Sequence, residues 1–379
     1  MDAEYHVRVR NHAGELVAYI ANMRYLSYTN KVNDIGFYEL RLDMDDDKVV
    51  YFSKDYMFEV WRKADGEDWQ RDYVGLHRRK RKWINQQGYE YAGSIGRSLE
   101  ELLARRLIEP SFGNDFASKA GYAAVIMSEY VDENAGPGVL TYLVDRGAGV
   151  GEVDAARQVS DLTVATASDI GAAVTRDLRL VSLSDALQEL ARAGGVDYWL
   201  EYQTTWEGPH AFEFQCTELR GTDRRIDNTD GNLPLVFSVG RGTMVAPVRV
   251  WDALNEQNFL YVGGPGKGAD RLMNWIEDST AEAETRWNRR EAFIDARNQD
   301  TLAKLASKGE EELEARGEEQ ILDFDIIETA GCKYGRDWEL GDLVSGIFDG
   351  EQQDVRIVAV TVSVRKDMGE DVKVKLEVI

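Results

Sequence analysis

Acids and aromatics crowd one stretch near the C-terminus. In CKYGRDWELGDLVSG, residues 332–346, Asp337, Glu339 and Asp342 lie close together beside Trp338 and just ahead of an apolar run. Paired carboxylates are the instruments of acid–base and glycosidic chemistry: one gives up a proton while the other attacks or activates water. Such chemistry also needs a base, a nucleophile or a metal converging on the acids, and the sequence offers none nearby. The four histidines are His6, His12, His77 and His210, none in a metal-binding spacing such as H-E-x-x-H. No G-x-S-x-G elbow occurs, nor any Cys–His arrangement with local support. With 68 acids in the chain, any single carboxylate pair carries little information, and glycosidase-like pairs stay open because their separation is spatial. The plainer reading gives the same residues structural work. Tyr334 to Asp337 make a turn, Trp338 and Leu340 anchor the chain on a core, and Gly341 with Asp342 bends it into a strand starting at Leu343. On that reading the acids are turn and surface residues, the protein is not an enzyme, and no cofactor or metal is implied.

Two further motifs invite chemistry. GGPGKGADR holds a Gly-Lys pair at 266–267, but a phosphate-binding loop needs Ser or Thr after the lysine, and Gly268 stands there. A turn between a strand and a helix is the expectation. HRRKRKW, residues 77–83, is a basic run in an acidic chain, and Arg78, Arg79 and Arg81 are its candidate contact residues. Nucleic-acid binding is the sharp reading. A strand making charge pairs with an acidic neighbour, within the chain or in another subunit, competes with it and is favoured. The formal net charge is −23. A surface that acidic repels phosphate backbones and anionic membranes, which argues against specific nucleic-acid binding. Solubility explains the charge plainly; a surface that DNA must pass without sticking explains it more sharply.

The elements that must position these residues fall into thirds. At 379 residues, with 43% hydrophobic and 30% charged positions, the chain supports several cores, and roughly two to four domains. Residues 1–95 read as five to seven strands on short turns, with Tyr38, Leu40 and Leu42 on one face of GFYELRLD and Glu39 and Arg41 on the other. Residues 96–234 read as α/β. RSLEELLARRLIEP and NDFASKAGYAAVIMSEYVDENAGPG are expected helices. SLSDALQELARAGG is the clearest one, with Ser182 as N-cap, Leu183, Leu187 and Leu190 inward and Gly194–Gly195 as its stop. VDYWLEYQTTWEGPHAFEFQC reads as a hairpin with its loop at EGP. Residues 235–379 return to strands around a helix-rich segment at 280–317. DVRIVAVTVSV is expected to be buried on both faces, and DVKVKLEVI alternates with Val372, Val374, Leu376 and Val378 inward. Trp199, Trp251 and Trp287 are expected in cores. Cys216 and Cys332 are too few for a disulfide scaffold; they pair only if the fold joins them, and free thiols are favoured. No apolar stretch approaches the roughly 20 residues of a membrane span, and the N-terminus lacks a signal-peptide pattern, so a soluble cytoplasmic product is expected. The fold class is α+β and multidomain: two mostly-β, barrel-like domains with an inserted α/β region.

One family matches the order of these segments. NKVNDIGFYELRLDMDD, YVGLHRRKRKWINQQGYEYAGSIGRSLEELLARRLIEP, LSDALQELARAGGVDYWLEYQ, NFLYVGGPGKGADR, NRREAFIDARN and GRDWELGDLVSGIFDGEQQDVRIVAVTVSV follow one another as they do in siphophage tail hub proteins. The chain resembles that tail-associated, baseplate-hub-like family. The resemblance implies a virion structural protein: a homotrimeric ring at the distal end of the tail, with two barrel-like domains per subunit around a channel that passes the genome. It implies distal tail or tail tube protein, tape-measure protein and receptor-binding tip proteins as partners, and assembly in the host cytoplasm. It also leaves any lytic or adhesive module to a separate protein, since nothing follows the last strand at Ile379. Two alternatives stand beside it: a β-rich hydrolase or carbohydrate-binding protein, and the hub of a tail-derived injection particle.

Overall fold

A computed structural model describes residues 3–64, 66–140, 150–165, 167–203, 210–329, 331–366 and 369–379. The N-terminal third forms β1 (Glu4–Arg10), β2 (Leu16–Ile20), β3 (Tyr25–Lys31), β4 (Phe37–Asp43), β5 (Met57–Lys63), β6 (Gln70–Ile84) and β7 (Glu90–Ser98). Period-two alternation drives these strands: on β4, Tyr38, Leu40 and Leu42 are buried while Glu39 and Arg41 stay half-exposed. The middle third contains α1 (Glu101–Ala104), β8 (Ala117–Tyr122), α2 (Ala123–Asn134), β9 (Leu162–Val164), β10 (Ala173–Leu178), α3 (Leu183–Gly194), β11 (Asp197–Tyr202) and β12 (Phe212–Thr217). The last third runs through β13 (Val236–Ser238), β14 (Met244–Asp252), β15 (Phe259–Gly263), β16 (Met273–Glu277), α4 (Ser279–Glu284), β17 (Glu291–Asp295), α5 (Leu302–Glu314), β18 (Glu319–Ile326), β19 (Leu343–Phe348), β20 (Glu351–Arg365) and β21 (Gly369–Val378).

The protein is mostly β with few helices, and the two barrel-like domains expected from sequence are not separate. Strands from the first and last thirds join one 11-stranded sheet in the order β13-β19-β20-β3-β4-β7-β6-β5-β1-β2, with β21 also on β20. No closed barrel forms among the described residues. The reason lies in β20. Its 15 residues are long enough to pair with β19 at one end and with β3 and β21 at the other. Hydroxyls zip the seam, Ser27 to Ser363 at 3.0 Å and Thr29 to Thr361 at 2.8 Å. One core follows from one sheet: Val7, Leu26 and Tyr38 pack in the same cluster as Phe237, Trp338 and Val360. A second core holds the middle third, where Met127, Tyr130, Leu187 and Phe214 gather with Met57 and Leu76. A third, small one sits between β15, β17 and α5, built from Leu260, Val262, Ile294 and Leu305.

The helix at α3 matches its sequence reading in detail. Ser182 Oγ accepts from the Asp185 amide, Gly195 takes the left-handed conformation at φ 61°, and Leu183, Leu187 and Leu190 are buried. Three other expectations need correction. The helix read over RSLEELLARRLIEP shrinks to four residues. The one read from Asn114 starts only at Ala123, because Ala117–Tyr122 is claimed by antiparallel pairing with β10. The stretch 280–317 is two helices around β17, which pairs in parallel with β15. Likewise GGPGKGADR joins two strands, β15 and β16, with a short 3-10 turn inside it. The hairpin β11–β12 forms as expected, and its EGP loop lies outside the described residues.

Candidate functional site

Asp342 is where the acidic segment stops being superficial. Its side chain is buried, contrary to the surface reading, and both oxygens are used. Oδ1 accepts from the Thr222 amide at 2.7 Å; Oδ2 accepts from the Glu339 amide at 3.0 Å and from Arg224 Nε at 3.2 Å. Burial pushes the carboxyl above its ordinary range, against the pull of those donors. Gly341 makes the crossing possible. It sits at φ 94°, and a Cβ there would lie 1.4 Å from the Arg220 carbonyl oxygen, so only glycine fits. Trp338 is fully buried and leans on Tyr334 at 5.1 Å and on the edge of Phe237 at 6.3 Å. The neighbouring acids differ: Asp337 accepts from the Lys333 amide at 2.8 Å in the turn, and Glu339 is exposed.

This crossing belongs to a larger polar junction that sequence reasoning missed. Asp197, buried at the start of β11, accepts from Asn33 Nδ2 at 3.0 Å, from the Arg220 amide at 2.5 Å, and from Arg356. One carboxylate thus binds the first, middle and last thirds together. A second knot joins the first and last thirds. Arg62 on β5 meets Glu370 on β21 at 2.8 Å and donates to the Tyr334 carbonyl at 2.9 Å. Beside it, Asp72 accepts from the hydroxyls of Tyr28 and Tyr334. Burial raises the Asp72 carboxyl, outweighing both phenols. Nothing local in sequence marks Asp197 or Asp72 among so many acids, because their partners lie far along the chain.

The basic run has a different character. A bulge between His77 and Arg79 breaks the alternation, and Arg78 through Lys82 are all exposed. Arg78 is neutralised inside the chain, meeting Asp55 at 2.7 Å, where Arg105 joins it at 2.9 Å. Arg81 stacks on Trp83 at 4.8 Å. Among the described residues Arg79, Arg81 and Lys82 have no carboxylate partner. The expected alternation is absent from Arg78 to Lys82, and of the charge pairing expected within the chain or with another subunit, an intrachain pair forms at Arg78. His77, at the base, is buried against Ser94 Oγ at 2.6 Å, and desolvation lowers its pKa to about 4. His6 sits among Tyr19, Trp61 and Trp69, also lowered to about 4 by burial. Among the described residues no group of three or more His, Cys, Asp or Glu is placed to hold a metal ion. Cys216 and Cys332 are both free. Trp251 and Trp287 are exposed rather than in a core.

This fold is shared by phage tail proteins. The tail protein of Neisseria meningitidis MC58 superimposes with a TM-score of 0.56 at 14% identity, covering 99% of this chain and 96% of that one. The 43 kDa tail protein of prophage MuSo2 from Shewanella oneidensis gives 0.58 at 12%, covering 99% and 98%. The prophage tail protein gp18 of Listeria monocytogenes EGD-e gives 0.51 at 11%, covering 99% and 94%. The chain itself belongs to the Siphovirus ReqiPepy6 Gp37-like protein family, whose sequence model matches residues 6–376. No curated protein matches it. The likeness drawn from the order of segments is met by a siphovirus family that matches nearly the whole chain and by a fold shared with phage tail proteins.

Proposed function

We propose that the protein is a trimeric hub at the distal end of a siphophage tail, a virion component assembled in the host cytoplasm. It joins the tail tube or distal tail protein to the tip, with tape-measure and receptor-binding tip proteins as further neighbours. The observation that carries this reading is the exposed basic stripe Arg79, Arg81 and Lys82, without a carboxylate partner among the described residues, on a chain of net charge −23. Exposed cations left unpaired on so acidic a protein are well placed to meet an acidic surface on another copy. Two different patches meeting head to tail close a ring when the rotation permits. The first and last thirds support the reading as well, since one sheet makes them a single stiff body able to bear load at a tail tip. Three copies at −23 each carry −69, a wall past which DNA slides without sticking. The structural role fits the polar residues described above, which are bonded to one another and to backbone rather than converging on a substrate position.

Native mass measurement and electron microscopy of the purified chain test this, with and without the distal tail protein. A threefold ring that is lost in Arg79→Glu/Arg81→Glu is the expected result. A chain that stays monomeric with every tail partner and hydrolyses glycans would sink it.

A further inference from the structure

The basic stripe of β6 has an acidic counterpart in the last third of the chain. A cleft of about 820 Å³ is lined from β16, α4 and α5. Glu277 ends β16, Glu284 ends α4, Glu310 and Glu314 stand one turn apart on α5, and Glu318 follows that helix. All five are exposed. Among the described residues none of the five has a cation or a hydrogen-bond donor at its carboxylate, and no lysine or arginine lines the cleft. Like charges four apart on a helix repel, so Glu310 and Glu314 oppose the helix that carries them.

A sixth acid separates this cleft from an ordinary solvated surface. Glu256 lines the same space and is only 5% exposed. Among the described residues its carboxylate accepts from neutral amides alone, Asn258 Nδ2 at 3.2 Å and Asn288 Nδ2 at 3.4 Å. A buried carboxylate without a cation is costly, so this one calls for positive charge from outside. A bare metal ion does not answer, since no three His, Cys, Asp or Glu among the described residues are placed to hold one. Ile276 and Leu313 also line the cleft, both half-buried. Acids above an apolar patch suit an arginine or lysine, whose aliphatic stem lies on the patch while its head reaches the carboxylates.

β6 carries such side chains in a row. Its pairing with β5 ends at Leu76 opposite Met57, whereas its pairing with β7 runs on to Ile84 opposite Glu90. Beyond His77, β6 is therefore a free sheet edge among the described residues, and a free edge is a template for another chain. We propose that this edge of one subunit docks in the acidic cleft of a second copy, with Arg79, Arg81 and Lys82 facing the glutamates. The inference rests on the hub reading and names the surface that the stripe meets. The two patches lie on different thirds of the chain, so the contact is head to tail: each copy gives its edge to one neighbour and its cleft to the other. Opposite charge sets the register of the contact and speeds encounter at low salt.

Sedimentation and native mass measurement of four full-length chains test it: wild type, Arg79→Glu/Arg81→Glu, Glu310→Lys/Glu314→Lys, and all four substitutions together. Each reversal alone sets like charges face to face and should weaken association by about 100-fold or more. The combined chain restores opposite signs with the patches exchanged, and should associate within about tenfold of wild type. All four positions are exposed, so the unfolding midpoints should stay together. A ring that survives Glu310→Lys/Glu314→Lys overturns the pairing and leaves the hub reading standing. Two reversals that each break the ring, with a combined chain that does not re-form it, overturn the pairing as well. Spermine binding that the cleft reversal abolishes, beside a ring it leaves intact, would assign the cleft to a free polycation instead. A wild type that stays monomeric, alone and with the distal tail protein, overturns both the pairing and the hub reading.

Discussion

Two clusters of charge in this protein use the same residue types to opposite ends. At the junction, Asp342, Asp197, Arg224 and Arg356 are drawn together from distant parts of the chain, and the two aspartates are buried and bonded. Along β6, Arg79, Arg81 and Lys82 stand on solvent with no carboxylate partner among the described residues. The difference teaches where charge does internal work. A buried charge left without its partner is costly, so a junction of this kind admits one arrangement of the chain. An exposed charge is screened and contributes little to folding, which leaves the β6 stripe available to something outside the chain.

The contrast breaks most visibly at Gly341. Gly341→Ala places a Cβ 1.4 Å from the Arg220 carbonyl oxygen, at a φ of 94°, and should cost more than about 4 kcal/mol or abolish soluble expression. Near-normal stability in urea unfolding would show that the crossing is loose. Asp342→Ala strands Arg224 and two amides and should cost about 3 kcal/mol. Asp342→Asn should cost less, because an amide oxygen can still accept from Thr222. An intact fold with a specific loss of some turnover would instead revive the catalytic reading of this acid.

A third test concerns acid. His6 and His77 are held to about 4 from 6.5, so the unfolded chain takes up protons first. Their contribution is complete above pH 6.5 and is lost as pH falls through 4, amounting to roughly 2–3 kcal/mol each. Asp342 and Asp72 act with the opposite sign, since their carboxyls are raised above 3.8: their contribution is complete below that value and fades as pH rises. The unfolding midpoint should therefore drop between pH 6.5 and 4, and His77→Gln should flatten the drop. A flat profile in the wild type would show that these imidazoles are hydrated. The smallest effect on stability is expected from Arg79→Glu/Arg81→Glu, within about 0.5 kcal/mol, with assembly lost. A large destabilisation there would erase the distinction between the two clusters.

Where a residue's surroundings are its sequence neighbours, the structure was legible beforehand. The inward faces of β4 and β21, the start of β19 at Leu343 and both ends of α3 follow from alternation, helical period and capping. Expectations failed where a distant strand intervened. Ala117–Tyr122 has the look of a helix start, but β10 claims it as a strand. Phe293 sits in a segment read as helical and pairs instead with β15. Trp251 and Trp287 looked like core residues and are exposed; Trp251 lies on β14, which pairs with β18 in a two-stranded sheet outside the large one.

The candidate site divides in the same way. Gly341 and Trp338 could be singled out from their own segment, whereas Asp197 could not, because it is joined to Asn33 and Arg356 from opposite ends of the chain. By itself the sequence determined the strand and helix faces, the acidity, the basic run and the order of segments that marks the family, all of which are local or additive properties. Only the tertiary structure decided that the first and last thirds share one sheet and that Asp342 is buried while Arg79 is exposed. Those outcomes depend on which strands pair, and pairing is settled by the burial available to the whole chain rather than by any segment of it.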